Sequence, residues 1–376
     1  MRWELSPEQA DFRTVLADWL GDVCPRDTLR GWLDAGDHAT FAHRLHTDGW
    51  FGVGAPEDLG GEGGGLVELA LAAEQFGRHA APSSSWLASM VALPAVAAVP
   101  DAAKALFGDG AVVALATPAG TIPGGDATVR AAGAGLSGSV PTVLAADVAA
   151  RFVVPVRGEK GLELHLVDAG RPGVRVQPRA LTDRSRSVAD IELDGVPSTL
   201  IQADAAEVLA RCAHRGAVLV AADALGAMVA MLDATVEYVG QRKQFGVPIG
   251  SFQAVKHAAA EMLVKVESSR SIAYLAAAVV DAGRDDAAVY AATAKAQICA
   301  AGPVAADSAL TLHGAIGYTW EHDLQFFYKR ALLDAELLGS PGAWNDVLAD
   351  RLPLVPGPEM SSKGGAAARA IGCDPS

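Results

Sequence analysis

The sequence predicts a mainly α-helical protein with a β-rich stretch in its middle. Three observations carry that fold class. The chain opens on a helix-start signature followed by helical apolar spacing, residues 112 to 200 alternate short β-branched runs with Gly, Pro and Asp, and the second half is long, Ala-rich and nearly free of breakers. With 376 residues the chain also exceeds a single compact core, since domains hold roughly 100–200 residues each.

In chain order, Ser6-Pro7-Glu8-Gln9 starts the first helix. Ser6 caps, Pro7 gives up no useful donor at the first position, and Gln9 reaches back in a capping box. Phe12, Val15, Leu16, Trp19 and Leu20 then form one buried stripe, and similar spacing returns from Leu66 to Phe76. Residues 1–108 are therefore read as an N-terminal helical domain. The runs Arg151–Val156, Leu162–Val167, Gly173–Gln177 and Val188–Leu193 make 109–203 a middle β domain. Helices expected near 205–239, 251–282, 286–313 and 321–350 make 204–355 an antiparallel four-helix bundle. The helix from Ala205 to Val239 is apolar on nearly every side, so other helices or another subunit enclose it, and oligomerisation is the simpler explanation. The last 21 residues, 356–376, are rich in Gly, Ser, Pro and Ala and read as a disordered tail.

Composition narrows the function. Hydrophobic residues are 51% and charged residues 20%, a globular balance, and a net charge of −14 removes any electrostatic reason to bind nucleic acid or an anionic membrane. No run of about 18 apolar residues suits a membrane span, and the opening MRWELSPEQADF lacks the apolar stretch of a leader. Cys24, Cys212, Cys299 and Cys373 are scattered without metal-ligand or disulfide spacing, so no metal is expected and a cytoplasmic location fits.

Two glycine clusters need weighing. Gly133-Ala-Gly135-Leu-Ser-Gly138 matches GxGxxG, but Pro141 and β-branched residues follow where a nucleotide-binding helix should begin, so a turn between strands is the better reading. Leu59 to Gly65 lacks the Lys-Ser/Thr ending of a phosphate loop and reads as a flexible connection. His79 and His165 have no partner at ligand spacing. In Tyr238 to His257 (YVGQRKQFGVPIGSFQAVKH) one helix ends, a Gly/Pro turn intervenes and another begins, with Ser251 its candidate cap. From the residues alone, the Arg242-Lys243 pair is a solvated complement to a helix C-terminus or a binding element.

That segment resembles the flavin-diphosphate signature of the acyl-CoA dehydrogenase family, and Leu312 to His322 (LHGAIGYTWEH) resembles the family's second signature, in the same order and at a similar separation. Pro56-Glu-Asp-Leu-Gly-Gly and Gly173 to Asp183 extend the similarity over residues 4 to 350. The resemblance implies an N-terminal helical domain, a middle β-barrel and a C-terminal four-helix bundle, with FAD shared across a subunit interface. It implies that Arg242, Gln244, Phe245 and Gln253, with His313, Gly314, Ala315 and Gly317, serve the ADP half of a neighbour's FAD. An Arg fork and side-chain-free backbone both suit a diphosphate. Ala315 replaces a family glycine, and Thr311 stands where glutamine is common.

The residues implied for the chain's own flavin depart further. Ala116-Thr-Pro118-Ala-Gly120-Thr-Ile-Pro replaces a Thr/Glu-Pro-x-Ala-Gly-Ser-Asp loop, and Thr142-Val-Leu-Ala replaces a Trp-bearing strand. The chemistry needs a carboxylate to take the α-proton of an acyl-CoA while the flavin accepts the β-hydride. Leu338, before Gly339-Ser340, stands at the usual base position, and Gly216 stands at the alternative one. Asp334 and Glu336 are weak substitutes, expected as surface charges on other helix faces. Three functions follow as expectations. The chain is the base-lacking subunit of an α2β2 heterotetrameric acyl-CoA dehydrogenase, resembling steroid-degrading enzymes of lipid metabolism and passing electrons to an acceptor; or a complete homo-oligomeric enzyme; or an inert assembly protein of the same fold.

Overall fold

The computed structural model describes residues 5–124, 127–133, 135–158 and 161–352. Six helices come first: α1 (Pro7–Val23), α2 (Arg26–Ala35), α3 (Ala39–Thr47), α4 (Leu66–His79), α5 (Ser84–Val96) and α6 (Pro100–Gly108). Eight strands follow: β1 (Val113–Leu115), β2 (Val129–Ala132), β3 (Gly135–Leu144), β4 (Arg151–Arg157), β5 (Leu162–Asp168), β6 (Val174–Arg179), β7 (Val188–Val196) and β8 (Thr199–Gln202). The rest is helical, with α7 (Ala206–Gln241), α8 (Gln253–Asp281), α9 (Ala287–His313), α10 (Leu324–Glu336) and α11 (Pro341–Arg351). A small hairpin, β9 (Lys243–Gln244) with β10 (Val247–Pro248), joins α7 to α8.

The capping box at α1 forms as the sequence implies: Gln9 N–H donates to Ser6 Oγ at 3.2 Å and Ser6 N–H to Gln9 Oε1 at 3.0 Å. Leu16 and Leu20 are buried, but Val15 is 55% exposed and does not belong to the stripe. The strands form one sheet ordered β6-β7-β3-β2-β4-β5-β8, with β1 alongside β4. The pairs β1–β4 and β2–β4 are parallel and the others antiparallel. The GxGxxG segment opens no helix: Gly133, at φ 61°, follows β2, and Gly135 to Gly138 lie in β3, antiparallel to β2.

Four expectations are corrected. The Leu59–Gly65 connection is packed rather than flexible: a Cβ on Gly61 would lie 2.4 Å from the Ala55 carbonyl oxygen, which accepts from Gly63 N–H at 2.9 Å. The apolar helix is α7, whose 36 residues make it long and apolar enough to cross a membrane, contrary to the expectation that no such segment exists. This chain's own α4, α5, α8, α9 and α10 enclose it, and 89% of its most apolar stretch is buried without a second subunit. Ser251 does not cap α8; its hydroxyl donates to the Pro248 carbonyl at 2.7 Å, and Phe252 precedes the helix without a side-chain cap.

The fourth is the helix expected over 321–350, which is two helices. Leu338 (φ 56°) and Gly339 (φ 100°) turn the chain through the left-handed region, then Ser340 caps α11 by accepting from Ala343 N–H at 3.3 Å, with Pro341 at the first position. The expected tail, 356–376, lies outside the described residues, as does Cys373; the other three cysteines are free and buried. Among the described residues no group of three metal-ligating side chains occurs.

Candidate functional site

The antiparallel bundle gathers the two signature segments at one end. Arg242 ends α7, its N–H donating to the Tyr238 carbonyl at 2.8 Å, and Gln244 pairs with Val247 in the hairpin. Phe245, at φ 52°, is held 93% exposed, edge-on to Phe252 with centroids 6.2 Å apart. Gln253 is exposed at the first residue of α8. Across from them α9 ends at His313, whose ring stacks on Tyr238 at 4.5 Å and bonds the Ala309 carbonyl through Nδ1 at 2.8 Å. Burial is the main reason that His313 sits below the ordinary imidazole range.

Gly314 follows at φ 64°, Ala315 is exposed, and Gly317 is buried where a Cβ would come 3.0 Å from that of His313. An exposed guanidinium, an outward aromatic ring and a glycine turn suit a phosphate-bearing aromatic ligand, and these residues fit the ADP half of FAD.

The base positions are packed with hydrocarbon. Leu338 is buried, and a Cβ placed on Gly216 would lie 2.5 Å from Leu338 Cδ1 and 3.3 Å from Val91 Cγ2. The β domain closes directly on this turn. Leu338 N–H donates to the Ala119 carbonyl at 2.6 Å, Ala119 N–H donates to the Thr142 carbonyl at 3.0 Å, and Ile122 packs against Gly339. The segments 116–122 and 142–145, implied for the chain's own flavin ring, are thus tied to each other and to the bundle. Beside them lies a cavity of about 240 Å³ lined by Thr117, Ile122, Val140 and Pro155, smaller than the ~300–1,000 Å³ of most ligand pockets. This surface does not fit an isoalloxazine ring.

Asp334 and Glu336 part company. Glu336 is exposed at the last residue of α10, as expected. Asp334 is fully buried, which overturns its reading as a surface charge. It belongs to an ionic cluster that sequence reasoning missed. Arg330 grips Asp223 with Nε to Oδ1 at 2.7 Å and Nη2 to Oδ2 at 2.8 Å, while Arg186 reaches the same Oδ2 at 2.8 Å. Arg330 also donates to Ser185 Oγ and the Ala81 carbonyl, and Arg186 to Ser83 Oγ, while Arg186 Nε has no partner among the described residues.

Burial, then the negative charge of Asp223, raises Asp334 well above the ordinary carboxylate range. Burial would raise Asp223 too, but Arg186 and Arg330 overcome it and hold that group low. Asp334 is sealed from substrate inside this cluster, so it is no general base. Lys295, also fully buried, donates through Nζ to the carbonyls of Asp334 (2.9 Å), Ala335 (3.2 Å) and Gly339 (2.8 Å), fixing the turn that carries Leu338. A lone lysine amid the alanines of α9 and an arginine in apolar α10 were the available signals.

Comparison with known proteins agrees with this architecture. Residues 6–105 match the model of the acyl-CoA dehydrogenase N-terminal domain, and residues 206–352 match that of the C-terminal domain. The chain is 31% identical over 289 residues to the acyl-CoA dehydrogenase IpdE2 of Mycobacterium tuberculosis, covering 76% of this chain and 78% of that protein. It is 32% identical over 297 residues to the acyl-CoA dehydrogenase FadE34 of the same organism, covering 79% of this chain but only 40% of FadE34. Among solved structures it resembles the ChsE4-ChsE5 complex of M. tuberculosis (26% identity, TM-score 0.82, 95% of this chain and 100% of that one). It also resembles a variant of the Tcur3481-Tcur3483 steroid acyl-CoA dehydrogenase (27% identity, TM-score 0.82, 96% and 99%).

Proposed function

This chain belongs to the acyl-CoA dehydrogenase family of oxidoreductases, and from that premise we propose that it is the base-lacking subunit of a heteromeric, FAD-dependent acyl-CoA dehydrogenase. The observation that carries the proposal is the Leu338–Gly216 contact: both positions from which a carboxylate would reach the acyl α-carbon are closed hydrocarbon. A leucine and a glycine have no proton-accepting group; of the two acids near the end of α10, Asp334 is fully buried beside the Arg330–Asp223 pair and Glu336 is exposed at the helix end.

The chain's contribution lies at the other end of the bundle. Arg242, Gln244, Phe245 and Gln253, with His313, Gly314, Ala315 and Gly317, bind the ADP portion of FAD whose isoalloxazine and catalytic carboxylate belong to a related second chain. FAD, when bound, supplies the hydride acceptor, and a separate acceptor protein reoxidises it. Within this chain, Arg242 neutralises diphosphate charge and the Gly314 turn lets backbone approach it. Two similar solved structures are of two-chain assemblies, which supports the reading, as does the steroid named for one of them; a polycyclic acyl-CoA handled in the cytoplasm is the corresponding substrate proposal.

The test is expression of this chain alone and together with a relative that retains the glutamate before Gly-Thr/Ser. We expect protein without visible flavin absorption in the first case. In the second we expect a yellow complex that bleaches anaerobically with an acyl-CoA. Bound flavin that bleaches in the lone chain would replace this proposal with a complete homo-oligomeric enzyme.

A further inference from the structure

The two signature segments leave the bundle side by side, one after α7 and the other after α9, yet among the described residues no hydrogen bond runs directly from 242–252 to 313–322. A stack of three rings spans the gap. The His313 imidazole lies 4.5 Å from the Tyr238 ring at an interplanar angle of 21°, and 4.9 Å from the His322 ring in a T-shaped contact at 68°. Tyr238 comes from the last turn of α7, His313 from the end of α9 and His322 from the stretch before α10.

Hydrogen bonding fixes how the two imidazoles stand. His313 Nδ1 meets the Ala309 carbonyl at 2.8 Å, and a carbonyl only accepts, so that nitrogen carries the proton. His322 Nδ1 accepts from Leu324 N–H at 3.2 Å, so the proton of the neutral ring is on its Nε2. Neither ring can turn over without losing its bond.

The backbone of each segment is tied to the same residues. The Tyr238 carbonyl accepts from Arg242 N–H at 2.8 Å. The Gly314 turn folds back so closely that a Cβ on Gly317 would come 3.0 Å from the Cβ of His313. A shift of the Tyr238 ring against His313 is therefore a shift of Arg242 against the glycine turn.

Packing at helix ends is the simplest account of stacked rings, and the surroundings weigh against it. Tyr238 and His322 are only half-buried, and a cavity of about 390 Å³, lined also by Glu237, Gln241 and Glu321, opens beside the stack. Without the Tyr238 ring, His313 would face open space on that side.

We propose that Tyr238 and His322 are positioning residues for the diphosphate site: they clamp His313, so that Arg242 and the Gly314 turn are held in one fixed relation before the ligand arrives. The inference rests on the reading that these segments take the ADP half of FAD, and it adds what sets their mutual geometry. A preformed site spares the ordering cost that two independently moving segments would meet on binding.

The test uses the co-expressed complex and the full lone chain. Tyr238→Leu keeps apolar bulk without a ring, and Tyr238→Phe keeps the ring. His322→Asn keeps an acceptor for Leu324 N–H without the ring, and it carries the test if Tyr238→Leu does not fold. In the complex, release of flavin on dilution measures affinity. Tyr238→Leu and His322→Asn should each weaken FAD about three- to tenfold, the size of one aromatic contact, and Tyr238→Phe should retain it as the wild type does.

In the lone chain, where flavin plays no part, Tyr238→Leu should speed amide exchange at both Arg242 and Gly314, whose N–H groups are bonded to the ends of α7 and α9. Unchanged exchange at either position, or Tyr238→Phe as damaging as Tyr238→Leu, would overturn the proposal. Full flavin retention in Tyr238→Leu alongside a loss in Arg242→Gln would overturn it too, while leaving the cofactor reading intact. Full retention in both would remove the cofactor reading and the proposal with it.

Discussion

Asp334 shows how far a single position can depart from its local sequence context. On α10 it occupies the turn before Leu338, and four residues earlier Arg330 points into the same interior, so the helix buries an acid and a base on one stripe. The arginines settle on Asp223, and burial beside that charge raises Asp334. The sign of the pH effect follows. Unfolded, the carboxyl ionises near 3.9, whereas the folded group retains its proton to higher pH, so the native state binds more protons and its stability falls as pH rises above about 4. Asp334→Asn keeps the neutral shape and cannot ionise. Its melting temperature should gain on the wild type as the pH is raised from weakly acid to neutral, and parallel melting curves would mean that Asp334 is ionised in the fold.

At the scale of elements, the break between α10 and α11 decides what the site can do. Lys295 reaches from α9 to three carbonyls around the turn, satisfying acceptors that the end of α10 leaves unpaired and replacing the hydration of its own ammonium group. Lys295→Met preserves length and apolar stem but abandons those carbonyls. We expect a loss of about 1–3 kcal/mol in chemical denaturation and faster amide exchange around Leu338 and Gly339; unchanged exchange there would show that the turn holds itself.

This break was not legible as such, because Leu332 to Trp344 continues a helical rhythm and Gly339-Ser340-Pro341 reads equally as a mid-helix interruption or as an end and a new cap. The Ser6 cap and the strands from Arg151 to Leu193 were legible, since capping and β-branched alternation are local signals. The Asp223 cluster was not, since its members come from α7, α10 and the segment before β7, and one-dimensional periodicity carries no information on which faces meet.

Across the whole molecule, the single chain already encloses its most apolar helix, α7, so any assembly must draw on what is left outside. At the end of the bundle that carries the two signature segments that remainder is concentrated: Phe245 (93% exposed), Tyr318 (71%) and Trp320 (63%) stand out, with Val236 and Ile316 also exposed. Scattered exposed hydrophobics are ordinary, but large aromatics grouped around a cation and a glycine turn have the make-up of a surface covered by a partner and its ligand. In the proposed heteromer, substitutions at this end should separate assembly from stability. Arg242→Gln and Phe245→Ala remove groups that support no core packing, so the lone chain should melt within about 0.5 kcal/mol of wild type. In the co-expressed complex the same changes should lower the flavin-to-protein ratio, Arg242→Gln more steeply at high salt because diphosphate binding is partly electrostatic. A complex that keeps its full flavin content through both substitutions would mean that this end of the bundle binds a partner alone, and that the cofactor is held elsewhere.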